Sequence, residues 1–192
     1  MALLLAVENT RTEIVEFLLS IPETNVNLQD KYENMSLIIA SWKGHIKIVE
    51  LLLSRPDLDV NLQNDVGQMA LIGASWKEHI KIVELLLSRH DLNVNLQDKD
   101  GRTALMNASY KGSEGIVELL LSRQELDVNL QDKYGETALI IASWFGHIEV
   151  VKLLLLRSDI NINLQNKEGR TALMRASQRR HKEIVLLLEN YK

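Results

Sequence analysis

Apolar residues recur along the chain at helical spacing, in pairs of short stretches that a glycine separates in several copies. In one such pair, Leu139 and Ala142 stand three residues apart, and a second stretch follows Gly146. The second stretch places apolar residues at i, i+3 and i+6/7, at Ile148, Val151, Leu154 and Leu155. This spacing predicts two amphipathic helices joined by a tight turn. A glycine between them is suited to the left-handed backbone that closes a helix.

The segment between one helix pair and the next is polar and rich in Asp, Asn and Gly, which favours a long turn or a β-hairpin over a third helix. Glycine precedes the first helix in most copies of this segment, but Glu33 stands at that position in one copy. If the backbone there needs a positive φ, we expect Glu33 to cost about 1 kcal/mol.

The pattern repeats with a fixed period. The tripeptide Asn-Leu-Gln begins at intervals of 34 residues, at Asn27, Asn61, Asn95, Asn129 and Asn163. A period of this length predicts a solenoid, in which each repeat is one supersecondary unit packed on its neighbours. We therefore expect a single domain over residues 1–192 with six repeats, at 1–31 (partial), 32–65, 66–99, 100–133, 134–167 and 168–192 (a C-terminal cap).

Three local motifs resemble the ankyrin repeat. They are G-x-T-A-L-x-x-A at Gly101–Ala108 and Gly135–Ala142, G-H-I-x-x-V-x-L-L-L at Gly146–Leu155, and D-V-N at Asp59 and Asp127. The resemblance covers the whole chain. It implies an all-α ankyrin-repeat solenoid of stacked helix-turn-helix units with β-hairpin-like loops. The family's T-P-L-H motif is replaced by T-A-L-I or T-A-L-M, so its proline and histidine are missing at that point.

Composition narrows the function classes. The 192 residues carry a net charge of −4 and contain no cysteine. The acidic balance argues against binding to nucleic acid or to an anionic membrane. The lack of cysteine excludes thiol nucleophiles and cysteine-based zinc sites. Neither a complete signal peptide nor an apolar run of membrane-spanning length is found, so we expect an intracellular, cytoplasmic protein with no membrane contact.

No pattern predicts catalysis. Four histidines occupy the same repeat position, at His45, His79, His147 and His181. Stacked helices lie about 8–10 Å apart, so these imidazoles cannot converge on one metal ion. We interpret them as polar partners for the turn and for the start of the second helix. Phosphate loops and hydrolase motifs are absent from the sequence. We expect neither enzyme activity nor a cofactor.

Aromatic residues are concentrated at one position, the end of the first helix. Trp42, Trp76, Tyr110 and Trp144 share it, and the next residues are Lys43, Lys77, Lys111 and Phe145. Two interpretations are open. The rings contact a partner, or each ring packs on the neighbouring repeat and stiffens the array. On the same helix face, three residues earlier, the side chains vary among Ile39, Gly73, Asn107, Ile141 and Arg175.

In the ankyrin family, the end of the first helix and the hairpin tips line a concave groove that binds partners. The resemblance therefore implies a partner-binding set with four hairpin-tip residues beside the helix-end residues. The set is Trp42, Lys43, Trp76, Lys77, Tyr110, Lys111, Trp144, Phe145, Tyr32, Tyr134, Arg102 and Lys133. Trp, Tyr and Arg are the residue types most enriched in binding hot spots.

The function predicted in this way is non-catalytic protein–protein recognition through the concave face. The lysines favour an acidic or extended partner segment. One alternative is a structural or designed repeat scaffold without a dedicated partner, which the near-identical repeats also fit. A weaker alternative is a polyanion or nucleic-acid binder that uses the lysine and aromatic columns.

The two ends of the chain differ. Polar Gln178, Arg179 and Arg180 replace the aromatic position in the last repeat, as a terminal cap requires. The first repeat instead carries many apolar residues for an end unit, at Leu3, Leu4, Leu5, Val7, Ile14, Phe17 and Leu18. We expect either a fragment of a longer array or an N-terminal face covered by a partner or by a second copy, in end-to-end self-association.

Overall fold

The computed structural model describes residues 1–191, and the chain divides into two compact units, Met1–Lys99 and Asp100–Lys192. All regular elements in residues 1–191 are helices. Unit 1 contains α1 (Ala2–Glu8), α2 (Thr12–Leu19), α3 (Ser36–Lys43), α4 (Ile46–Leu53), α5 (Ala70–Trp76) and α6 (Ile80–Leu87). Unit 2 contains α7 (Ala104–Lys111), α8 (Glu114–Leu121), α9 (Ala138–Phe145), α10 (Ile148–Leu155), α11 (Ala172–Arg179) and α12 (Lys182–Glu189).

The helices form antiparallel pairs, and within each unit the pairs pack on each other in chain order. The first helix of each pair packs against the first helix of the next, as α3 does against α5 and α9 against α11. The second helices pack together in the same way. The predicted all-α architecture of stacked helix pairs is therefore confirmed, and each predicted repeat holds one pair. The six repeat boundaries stay a proposal.

The first helix of a pair is the more deeply buried of the two. In α9, Leu139 and Ala142 are both buried, as their spacing predicts. In α10 the buried residues are Val150, Val151 and Leu154, whereas Ile148 is half-buried. The apolar spacing alone did not give the face of α10 correctly, because the helix is covered from one side by its own partner and from another by the next repeat.

Helix ends follow the sequence closely. The hydroxyl of Thr137 accepts a hydrogen bond from the backbone N–H of Ile140 at 3.2 Å, and Thr103 and Thr171 cap α7 and α11 in the same way. Met35 and Met69 occupy the corresponding positions before α3 and α5 and provide no side-chain cap. Both methionines are buried, so this position exchanges a cap for apolar packing.

The polar segments form hairpin-like turns without β-strands. In four of the turns a backbone N–H donates to the carbonyl four residues later, as from Asp132 to Glu136 at 3.0 Å. One isolated antiparallel bridge joins Gln29 and Met35. The backbone turns through a left-handed residue, with φ of 77° at Gly135 and 60° at Glu33. Successive turns within a unit are joined by backbone hydrogen bonds, such as Lys133 to the Asp100 carbonyl at 2.8 Å.

The asparagine of the Asn-Leu-Gln segment joins consecutive repeats through two hydrogen bonds. The Asn129 side chain donates to the Asp159 carbonyl at 2.7 Å and accepts from the Asn161 backbone N–H at 2.8 Å. Asn27 and Asn61 form the same two bonds in unit 1. The glutamine of the segment adds a bond of the same kind, from Gln131 to the Gln165 carbonyl at 2.9 Å. The recurrent tripeptide therefore encodes inter-repeat hydrogen bonding.

Arginine provides a second tie between repeats. Arg157 donates to the Leu126 carbonyl of the preceding repeat at 3.0 Å and forms an ion pair with Asp159 at 2.8 Å. Its hydrogen bonds lower the pKa of Asp159 below the ordinary value. Arg55 and Arg89 make equivalent contacts in unit 1. The arginine that follows the second helix therefore joins each of these repeats to the preceding one.

The apolar side chains of the first helix pair, α1 and α2, are only partly buried. Leu3, Leu4 and Val7 are buried, whereas Leu5 and Phe17 remain 53% and 66% exposed. The predicted end-to-end self-association through this repeat stays a prediction.

We predict that Asn129→Ala lowers the free energy of unfolding by about 1 to 2 kcal/mol, because two inter-repeat hydrogen bonds are lost. Chemical denaturation followed by circular dichroism measures the change. Asn163→Ala is the matched control. Asn163 holds the same place in the last copy of the Asn-Leu-Gln segment, its side chain is exposed, and we expect a change within about 0.5 kcal/mol. Equal effects of the two substitutions would contradict the assigned role.

We predict that Glu33→Gly raises the free energy of unfolding by about 1 kcal/mol, because glycine adopts positive φ without strain from a β-carbon. The control is Glu118→Gly inside α8, where the same change should cost about 1 kcal/mol. Thermal and urea unfolding report both values. A loss of stability in Glu33→Gly would show that the glutamate side chain stabilises this turn.

Candidate partner-binding surface

The predicted contact residues lie at the ends of the first helices and at the tips of the turns. We call these two groups of positions, within each unit, the recognition surface. In unit 1, Trp42 is half-buried, and its Cε3 atom lies 3.5 Å from the point that a β-carbon on Gly73 would occupy. The ammonium of Lys77 lies 4.4 Å from the centroid of the same ring. Trp42 therefore packs on the next repeat, as one of the two interpretations expected.

A shallow cleft of about 310 Å³ lies beside Trp42. It brings Tyr32, Trp42 and Lys43 together, with Ile39 on its wall. Tyr32 is 52% exposed, and Lys31 lies 4.7 Å from the centroid of its ring. Three of the predicted residues are thus neighbours in unit 1.

In unit 2 the aromatic rings contact each other from repeat to repeat. The centroids of Tyr110 and Phe145 are 4.6 Å apart with an interplanar angle of 64°, an edge-to-face arrangement. These two side chains are nevertheless 38% and 41% exposed. Trp144 is covered differently, because the guanidinium groups of Arg175 and Arg179 lie 4.6 and 4.0 Å from its ring centroid. Tyr110 and Phe145 therefore keep surface that a partner can bury.

A cleft of about 200 Å³ opens between these residues in unit 2. It brings together five of the predicted contact residues, Arg102, Tyr110, Tyr134, Trp144 and Phe145. The variable helix-face positions Asn107, Ile141 and Arg175 also line it. Met106, Asp132 and Glu136 complete the lining, and of these Met106 and Asp132 were not expected there.

An ion pair lies at the edge of this cleft. Arg175 donates to Glu136 Oε1, and the two side chains are only 13% and 15% exposed. Asn166 donates to the same oxygen at 2.8 Å. Within residues 1–191, Glu136 Oε2 and Arg175 Nε are buried without a hydrogen-bond partner. Thirty-nine residues separate this pair in the chain, so no short-range sequence signal could reveal it.

Several of the lysines on the recognition surface already have intramolecular partners. Lys43 donates to the Glu8 carbonyl at 2.9 Å, and Lys77 lies over Trp42. Lys133 pairs with Asp100 at 2.8 Å, which raises the pKa of Lys133 and lowers that of Asp100. Only Lys133 of these three is thus paired with a carboxylate, whereas Lys43 and Lys77 contact a backbone carbonyl and an aromatic ring.

The repeated histidines have a structural role, but their partners differ from those expected. No histidine side chain caps its own helix. Instead, the Nε2 atoms of His79, His147 and His181 lie within hydrogen-bond distance (3.3, 3.0 and 3.2 Å) of carbonyls at the end of the preceding repeat's first helix. The His181 ring fills the space above Gly146, where a β-carbon would lie 2.6 Å from it. Burial lowers the pKa of His45, which bonds to Thr10.

Neither a metal-binding cluster nor a membrane-spanning helix is found in residues 1–191. No three or more His, Cys, Asp or Glu side chains are grouped so that they could hold a metal ion. None of the helices is both long enough and apolar enough to span a bilayer.

Comparison with known proteins gives a consistent result. A family model described as "Ankyrin repeats (3 copies)" matches residues 1–64, 71–166 and 125–192. The structure is similar to the crystal structure of an ankyrin repeat protein, with a TM-score of 0.92 and 30% sequence identity, covering 100% of this chain and 98% of the other.

A second similar structure is an ankyrin repeat domain from Acinetobacter baumannii AYE, with a TM-score of 0.88 and 27% identity. The match covers 97% of this chain and 95% of that one. A sequence search of curated proteins returns no match.

We predict that Arg175→Met lowers the free energy of unfolding by about 3 kcal/mol, because it leaves the Glu136 carboxylate buried without its counter-ion. Urea denaturation measures the loss. The control is Arg179→Met, which removes an exposed guanidinium from the same tryptophan and should cost less than about 1 kcal/mol. Adding Glu136→Gln to Arg175→Met should recover part of the stability. No recovery would contradict the electrostatic explanation.

Proposed function

Because the chain belongs to the ankyrin repeat family, we propose that it is a non-catalytic module that binds a partner protein or peptide through its recognition surface. Ankyrin repeats are generally protein-interaction modules. The family places the recognition surface on the concave side of the array, and we propose the same for this chain. All twelve predicted contact residues belong to the proposal.

The observation that carries the proposal is the exposed aromatic cluster in unit 2. Tyr110, Phe145 and Tyr134 line one cleft, and between 38% and 54% of each side chain is exposed. Exposed rings grouped around a concave site are typical of interaction surfaces. Tyrosine also provides a large contact area at a low cost in conformational entropy.

The contact residues divide into two groups by their packing. Trp42 and Trp144 are already covered by the next repeat, so they support the surface more than they project from it. Tyr32, Tyr110, Tyr134 and Phe145 retain exposed faces. We propose this second group as the energetic centre of the interface.

The partner's charge is a finer part of the proposal. The lysines in the sequence favour an acidic partner segment. In the structure, however, Lys43 already donates to the Glu8 backbone carbonyl, and Lys133 forms an ion pair with Asp100. We therefore assign a larger share of the affinity to apolar contacts than to the lysine charges. A cytoplasmic location remains a prediction of the sequence.

The test compares capture of partners by the native chain and by a Tyr110→Ser/Phe145→Ser variant, with quantitative mass spectrometry of the bound proteins. Truncating these rings should spare the core because both are partly exposed, and circular dichroism should confirm an unchanged fold. We expect the specific partners to be depleted at least fivefold.

The matched control is Leu156→Ser, which removes an exposed apolar side chain (81% exposed) just after α10, outside the recognition surface. It should retain the partners. Equal capture by the native chain and the double variant would refute binding at this surface.

A further inference from the structure

We propose that α10 and α12 present an apolar patch on which a second copy of this chain docks through the same patch, in a two-fold symmetric dimer. We call it the leucine patch, and it consists of Leu155, Leu156, Leu186 and Leu187. The inference goes beyond the proposed function, because these residues lie outside the recognition surface.

The leucine patch surrounds a shallow depression of about 450 Å³ in unit 2. Leu156 and Leu186 are 81% and 58% exposed, and Leu155 and Leu187 are half-buried. Single exposed leucines are ordinary on protein surfaces, but several grouped at one place mark an interaction site. The patch is therefore a candidate interface.

Leu156 is not required by the fold. The same position holds a serine in four earlier repeats, and the Ser54 hydroxyl there donates to the Leu51 carbonyl at 2.7 Å. The backbone φ is −72° at Leu156 and −71° at Ser54, so a serine would fit equally well. Leu156 gives up that hydrogen bond and still leaves most of its side chain in water. A residue of this kind is explained by burial in an assembly.

Leu186 also departs from the repeat. Charged residues hold its position in the five earlier repeats, as Glu16, Glu50, Glu84, Glu118 and Lys152. Over the glutamates, a second copy of the chain would meet charges of the same sign, which disfavours association. At α12 the leucine removes that charge and joins the apolar surface around Leu156. The two departures therefore combine at one place.

The charges beside the patch fit a second copy. Lys152 and Glu183 line the same depression, and their charged groups are 3.6 Å apart. Their charges sum to zero, so two patches can meet without net repulsion. Each patch also offers a cation and an anion to the other copy, as a two-fold interface with the same surface on both sides requires.

The apolar composition points the same way. Leucine is under-represented among the hot spots of protein interfaces, where Trp, Tyr and Arg dominate. Homodimer interfaces are more apolar than those between proteins that also exist apart. Four leucines with a balanced ion pair at their side therefore match a second copy better than an unrelated protein.

The size of the patch predicts a weak dimer. Eight residues line the depression, including Asn190 and Tyr191. A standard interface contributes about 20–30 residues from each partner. We therefore expect a dissociation constant in the micromolar range or above, and a dimer that forms only as the protein concentration rises.

The experiment is sedimentation equilibrium of the purified full chain over a wide range of concentrations. The variants are Leu156→Ser and Leu186→Glu, which install residues that the other repeats already carry. A two-fold dimer loses two leucines with each substitution, so we expect the dissociation constant to rise about tenfold or more. A native chain that stays monomeric up to millimolar concentration, or variants that dimerise as the native chain does, would overturn the inference.

The matched control is Phe17→Ser in α2, which removes a side chain that is 66% exposed and distant in sequence from the patch. It should leave the dissociation constant unchanged, and circular dichroism should show an unchanged fold for all three variants. Loss of the dimer in Phe17→Ser alone would place self-association at the first repeat and overturn the role of the leucine patch.

A second measurement tests the two-fold arrangement. The chain contains no cysteine, so Glu189→Cys provides a single site for a spin label, at an exposed position beside the patch. The spin-labelled chain is mixed with isotope-labelled native chain, so that only contacts between copies are detected by NMR. We expect line broadening at the backbone amides of Leu155, Leu156 and Leu186. Broadening confined to other parts of the chain would refute the arrangement.

These outcomes are separable from those of the proposed function. The Tyr110→Ser/Phe145→Ser variant should still dimerise, and Leu156→Ser should lose the dimer while it retains captured partners. Loss of those partners from Leu156→Ser would assign the patch to a different protein and overturn this inference. A native dimer with no partner captured would support the inference and count against the proposed function.

Discussion

The two hydrogen bonds that an asparagine makes to the backbone of the next repeat fix how one helix pair sits on another. No pair can bury its apolar face alone, so each depends on a neighbour, and apolar contact by itself is not directional. The donor and acceptor of Asn129 must both meet Asp159 and Asn161, which allows one vertical register and no other. The Gln131 and Arg157 side chains enforce the same register from the turn and from the inter-repeat link.

This fixed register determines the surface chemistry. In three cases the side chain at the end of one first helix meets the residue one position further on in the next repeat: Trp42 meets Lys77, Tyr110 meets Phe145 and Trp144 meets Arg179. A small change in that second residue therefore changes how much of the ring stays uncovered. Lysine and arginine cover a tryptophan, whereas Phe145 leaves both itself and Tyr110 partly exposed. The clefts differ between repeats for this reason.

Local features could be read from the sequence, and features that depend on distant partners could not. The Thr137 cap, the left-handed glycines and the helix pairs follow from short-range spacing, and the family resemblance supplied the architecture. The face of α10 was misjudged because burial there depends on a neighbouring repeat. The roles of Asn129 and of the histidines were missed, because their partners lie 30 to 37 residues away. The same limit hid the Arg175–Glu136 pair.

The hydrogen bonds between repeats all join residues about one period apart in the sequence. The separation is 30 and 32 residues for the asparagine bonds, 34 for the glutamine bond and 37 for the histidine bond. Each of these bonds is consequently made with the adjoining repeat. Duplication or deletion of a whole 34-residue block would leave every remaining tie with a partner of the same kind. The protein can thus lengthen or shorten its contact surface by modular copying, and each new copy is free to acquire its own side chains in the cleft.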